Sequence, residues 1–389
     1  MINTLLVKVT ILLVSFACMA DLVIIPAIGG IYSALPDADP VLLDFILTGP
    51  MLIAVFSSLL CGILAKKISK KHLLIGAYII FIIATCGGAL FTNIYYIVAM
   101  RALVGFAFGI VSVAAMGLIA EVYIEEAERS SMVGLYNGIM AGIGIIMSLI
   151  SGFLAVDDWK NSFYIYLLGI PILIMIFAYL PKTPPEGKEK SSERAERLPL
   201  TQVSTVAIAF FLFNALYCIV CYYIALYLEE IQLGDASTAG ILTSVGTIGS
   251  LCGSLLFSPI YLRLKSATPI TAYFVMGAAY IVLSFPSNIW IVGAMCLLAG
   301  MAYGIGLSFY FMHASMIVPP SVISATMAIM AVSVNLGTFF SSYALNIYKA
   351  MLHIQTIAPT FLYIGITLVI LGVLSMVPIL RSNNTSISQ

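Results

Sequence analysis

The chain has 389 residues, 62% apolar and 9% charged, with a mean hydropathy of +1.11. A soluble domain carries about 25% charged and about 45–50% apolar residues, so this composition excludes a water-soluble globule and points to lipid as the solvent. A net charge of zero offers no basis for a nucleic-acid partner, and seven cysteines within apolar stretches are no disulfide framework.

A membrane-crossing helix needs about 20 mostly apolar residues, and such runs fall at about 5–31, 43–65, 73–91, 94–118, 131–155, 162–180, 202–228, 239–262, 269–285, 288–312, 322–348 and 357–380. Continuous runs, not alternation with period two, predict helices and not barrel strands. The first run is too long for a signal peptide and is read as the first span. With the N-terminus inside, the inner loops hold Lys66, Lys67, Lys70, Lys71, Arg129, Lys182, Lys188, Lys190, Arg194, Arg197, Arg263, Lys265 and Arg381. The outer loops then hold only Lys160 and Lys349, which places both termini in the cytoplasm. The Pro181–Pro199 segment, PKTPPEGKEKSSERAERLP, reads as a solvated linker. It predicts a six-helix half over 1–180, a cytoplasmic linker over 181–200 and a second six-helix half over 201–389. A faint repeat supports duplication: Ile46-Leu47-Thr48-Gly49 and Leu60-Cys61-Gly62 reappear in part as Ile241-Leu242-Thr243-Ser244 and Leu251-Cys252-Gly253.

Several motifs resemble the major facilitator superfamily. Gly62-Ile-Leu-Ala-Lys-Lys-Ile-Ser-Lys-Lys71, between the second and third spans, is similar to its G-x-L-a-D-r-x-G-r-K signature. Gly62, Lys67, Lys70 and Lys71 match in identity or charge, while Lys66 stands in place of the family Asp and Ser69 in place of Gly. Arg101-Ala-Leu-Val-Gly105-Phe-Ala-Phe-Gly109 resembles the R-x-x-x-G-x-x-x-G of the fourth span. Gly134, Gly138, Gly142 and Gly144 approach the antiporter glycine signature, with Ile143 replacing its proline, and Asp21-Leu-Val-Ile-Ile-Pro26-Ala resembles the D-x-x-x-x-P-A of drug:proton antiporters. The resemblance implies a twelve-helix, all-α transporter of two six-helix bundles that rocks between inward and outward access. In it, Gly62, Lys67, Lys70, Lys71, Gly105, Gly109, Gly138 and Gly142 serve gating or conformational change. The inner latch of the family is expected to be weaker or built differently here, because a lysine at position 66 would be repelled by the positive end of a helix.

Ionisable groups deep in hydrocarbon are presumed functional, and Asp21 is the one acid well inside a span, with Arg101 the one base. Counting 1.5 Å per residue, they lie roughly 15 and 10 Å from the same surface, close enough to meet. Their proposed work is proton coupling, against the blander reading of a fixed buried pair that orders helices. The glycine rows equally read as close helix contacts. Mid-span Asn137, Asn214 and Asn335, with Tyr217 and Tyr310, are the candidate substrate contacts. Pro26 removes a backbone bond to Leu22 and predicts a bend beside Asp21. With no G-x-x-x-x-G-K-[ST] sequence and no clustered catalytic groups, neither an ATP-driven pump nor an enzyme is expected. The sequence-level preference is proton-coupled efflux of a small lipophilic or cationic molecule by a monomer in the bacterial cytoplasmic membrane. The alternative is proton-linked uptake of a small nutrient or organic anion. No cofactor is expected beyond the proton gradient.

Overall fold

The computed structural model describes residues 4–36, 38–155, 158–185, 199–234, 236–285, 288–354 and 356–375. Much of the expected linker, including Lys188, Lys190, Arg194 and Arg197, lies outside the described residues, as do Arg381 and the end of the twelfth span at 376–380. The described elements are helical throughout, as backbone groups in hydrocarbon require. The first span is α1 (Thr4–Leu13), a 3-10 stretch (Val14–Met19) and α2 (Asp21–Ala34). Then come α3 (Pro40–Leu64), α4 (Lys70–Gly87), α5 (Ile94–Val122) and α6 (Glu126–Leu154). The sixth span opens as a 3-10 stretch (Trp159–Leu168) and continues as α7 (Gly169–Tyr179). The second half is α8 (Leu200–Glu230), α9 (Ala236–Leu264), α10 (Thr268–Leu283), α11 (Ile289–Met316), α12 (Ile323–Leu352) and α13 (Ile357–Leu374). Among the described residues, ten helical runs are long and apolar enough to cross a membrane, one of them the 46-residue run Thr238–Leu283, and Gly49–Leu64 is a shorter apolar helix; the all-helical class matches the expected one. Phe56, Ile83, Phe153 and Trp290 stand exposed, as lipid-facing side chains should.

The packing forms two compact units that interleave along the chain. One comprises Met1–Glu125, Ile139–Thr205 and His313–Asn335, the other Glu126–Gly138, Val206–Met312 and Leu336–Gln389. In the first, α5 lies against α3 and α4, and the contact with α3 is close because Gly105 meets the backbone of Pro50 and Gly109 that of Ala54. The Ser58 hydroxyl donates to the Gly109 carbonyl at 3.2 Å. In the second, α10 packs on α13, and α9 meets α11 by the same device. There Gly253 faces the backbone of Met301, Gly304 faces Ser250, and Ser254 donates to the Gly304 carbonyl at 3.3 Å. Small residues let helices approach where lipid offers no hydrophobic drive, and hydroxyls then bridge them.

The first span departs from α-winding ahead of Asp21. Helix α2 runs through Pro26, and the departure from α-winding is the 3-10 stretch Val14–Met19, just ahead of Asp21. The carbonyls around this tightened turn find hydroxyl donors on neighbouring spans. Tyr78 donates to Val14 at 2.8 Å and Tyr166 to Ala20 at 2.7 Å, while Ser15 donates to Leu12 within the span. Those bonds replace what regular winding would have supplied.

Candidate functional site

Asp21 opens α2 directly after the 3-10 stretch, and Arg101 lies on the second turn of α5. The two form the expected ion pair through Arg101 Nη2 and Asp21 Oδ1. Arg101 is only 3% exposed, and its Nε donates to the Ile46 carbonyl of α3 at 2.7 Å. The guanidinium therefore ties three helices together and has a fixed seat. The Asp21 side chain is 25% exposed, so the carboxylate is the member of the pair that outside atoms can reach. Ile24, Thr85, Met100, Phe163 and Tyr166 line a small cavity beside Arg101. A reachable carboxylate against an anchored cation can exchange a proton or a cationic group, while the arginine keeps its geometry.

The second unit gathers a polar cluster of uncharged groups. Asn214 on α8 is fully buried; its Oδ1 accepts from the Tyr303 hydroxyl at 3.0 Å and its Nδ2 donates to Thr338 Oγ1 at 2.9 Å. Tyr217, one turn along α8, stacks on Tyr303 with ring centroids 3.8 Å apart. Asn214 and Tyr217 thus come together as expected, and Thr338 joins them. Nothing in the sequence marks Thr338, because a hydroxyl on a distant span declares itself only when helix rotation is known. Tyr310 is instead packed into an aromatic cluster, sharing a 2.8 Å hydroxyl bond with Tyr273 and stacking on Phe210. Asn137 donates from Nδ2 to Ser308 at 3.1 Å, while its buried Oδ1 meets no donor among the described residues. Asn335, in the first unit, is 4% exposed and its Nδ2 meets no acceptor among them. Each amide therefore keeps one hydrogen-bonding atom unused by the described residues.

The sequence profile of the Major Facilitator Superfamily matches residues 10–342. The chain belongs to that superfamily. The relatives found within it include the Arabinose-proton symporter of Escherichia coli (strain K12), 28% identical over 143 residues, which are 36% of this chain and 30% of that one. The Sialic acid transporter NanX of the same organism is 23% identical over 206 residues, 50% of each chain. The match thus spans about a third of the first relative's length and half of the second's. The solved proton:xylose symporter superposes with a TM-score of 0.70 at 15% identity, covering 96% of this chain and 95% of its own, a likeness of fold.

The superfamily's motif residues take up distinct places. Gly62 lies against Ala325 and Ala328 of α12 within the first unit. Lys70 is buried in an ion pair with Glu121 of α5. Lys71 donates to the carbonyls of Phe177 and Leu180, at 2.8 and 2.7 Å, and so caps the end of α7. Lys67 is exposed. Gly105 and Gly109 form the contact with α3, Gly138 meets Leu251 and Leu255 of α9 in the second unit, and Gly142 is half-buried.

Proposed function

We propose that this protein is a proton-linked uptake carrier for a small, uncharged, hydroxyl-rich nutrient of the sugar kind, working by alternating access. The observation that carries the coupling is the Asp21–Arg101 pair, in which a reachable carboxylate lies beside an anchored guanidinium. Proton loading at Asp21 breaks the pair and frees α2 to move relative to α5; proton release restores it. The substrate reading rests on Asn214, Tyr303, Thr338 and Tyr217, which offer amide, phenol and hydroxyl groups without charge. A lipophilic cation would favour a carboxylate there and an organic anion a cation. The names of the arabinose and xylose symporters agree with this choice. Uptake therefore takes precedence over the efflux reading preferred from the sequence. In this reading the carrier works as a monomer in the cell membrane with both termini cytoplasmic, driven by the proton gradient.

The test is uptake of labelled pentoses, hexoses and sialic acid in cells stripped of their own carriers, with external pH recorded. Wild type should accumulate at least one sugar and make the medium more alkaline as it does so. Asp21→Asn should lose accumulation and alkalinisation while retaining sugar exchange down a gradient. Protection from lipophilic cations with no sugar uptake would reverse the assignment to efflux.

A further inference from the structure

Lys66 and Lys67 lie in the turn between α3 and α4 and Lys70 and Lys71 open α4, and the latter two have internal work: Lys70 pairs with Glu121, and Lys71 caps α7. Lys66 and Lys67 are exposed, with no side-chain ion pair or hydrogen bond among the described residues. We propose that Lys66 and Lys67, with His72, dock the anionic headgroup of a membrane phospholipid.

The surrounding helix faces supply the argument. Leu52, Phe56, Leu59 and Ile63 form an exposed apolar stripe along α3 at helical spacing. The chain keeps a helical path past Ile63, with the amides of Lys66 and Lys67 bonded to the carbonyls of Ile63 and Leu64. The two ammonium groups therefore end the same lipid-facing stripe, where long cationic side chains reach toward headgroups. On α4 the exposed face begins at His72, one turn before Gly76, and continues through Ile79 and Ile83. A side chain at Gly76 would meet nothing within 4 Å, so this face is notched below the headgroup level. His72 Nδ1 is bonded to Ser69 Oγ at 2.6 Å, which turns Nε2 outward as a donor when Nδ1 accepts. Apolar stripes running into unpaired cations fit a lipid, with acyl chains on the stripes and phosphate on the lysines. A free phosphate would use only the lysines.

The experiment is native mass spectrometry of the full chain in a neutral detergent, titrated separately with phosphatidylglycerol, phosphatidylcholine and inorganic phosphate. Phosphatidylglycerol should be retained in preference to phosphatidylcholine, less so with added salt, and millimolar phosphate should not displace it. The doubly substituted K66Q/K67Q protein should bind phosphatidylglycerol roughly 30-fold more weakly, from about 1 kcal/mol for each lysine, with phosphatidylcholine binding unchanged. Both residues are exposed, so the variant should fold, and an unchanged elution profile checks this. Unaltered phosphatidylglycerol binding in the variant, or equal retention of the two lipids, would overturn the site. Displacement by phosphate would assign it to a free anion.

Discussion

Arg101 shows how much one side chain does when its partners are fixed. Its Nε goes to the Ile46 carbonyl and its Nη2 to Asp21, a division that needs a planar fork. Lysine carries all its donors on one terminal nitrogen and lacks the planar fork that aims Nε and Nη2 at separate acceptors. Arg101→Lys should therefore lower stability by about 1–2 kcal/mol and reduce proton-driven accumulation at least tenfold. Apparent melting temperature in detergent and the steady-state accumulation ratio would check the two effects. Retention of full accumulation would show that the Ile46 bond is dispensable. The pair was legible in the sequence because charge is so rare in hydrocarbon that one acid and one base at similar depth single each other out. The Asn214–Tyr303–Thr338 network was not legible to the same degree. Amides and hydroxyls are tolerated on any buried face, and only the rotation of α8, α11 and α12 decides which of them meet. Tyr310 illustrates the same limit: its aromatic character suited a substrate surface, yet Tyr273 and Phe210 engage it.

At the scale of elements, span positions followed from composition, while irregularities within spans did not. Helix α2 is continuous through Pro26, as a membrane helix can be through a proline. The 3-10 winding at Val14–Met19 depends on Tyr78 and Tyr166, remote in sequence, and no local pattern announces it. Helix contacts are more readable, since small residues at four-residue spacing mark close approach. Two glycines separate packing from mere composition. Gly253→Ala would drive a methyl into the backbone of Met301, which cannot move independently of α11, whereas Gly76→Ala meets open space. The first should cost about 1–3 kcal/mol and sharply reduce the folded fraction in fluorescence-detected size exclusion; the second should match wild type.

The whole molecule shows duplication more clearly than the sequence does. Ser58 and Gly109 in the first unit have counterparts in Ser254 and Gly304 in the second, 196 and 195 residues later, making the same hydroxyl-to-carbonyl bond. The sequence echo gave an offset of 195 for one segment and 191 for the other, too ragged to stand alone. The units nevertheless interleave: the second includes Glu126–Gly138 and the first His313–Asn335. Six-helix halves cut at the linker should therefore be inactive alone and recover uptake when co-expressed as residues 1–190 and 191–389, measured by the same accumulation assay. Activity from either half alone would refute the two-half organisation. The fixed seat of Arg101 has an electrical consequence. Because the cation stays with α3 and α5, the pair is neutral when Asp21 is ionised and carries one positive charge when Asp21 holds a proton. Under the proposed coupling, an inside-negative membrane voltage acts on the loaded carrier alone, by about 2.3 kcal/mol per 100 mV for a charge crossing the full field. The empty carrier returns without feeling the field at this pair, so voltage drives the inward stroke and leaves the reset to thermal motion.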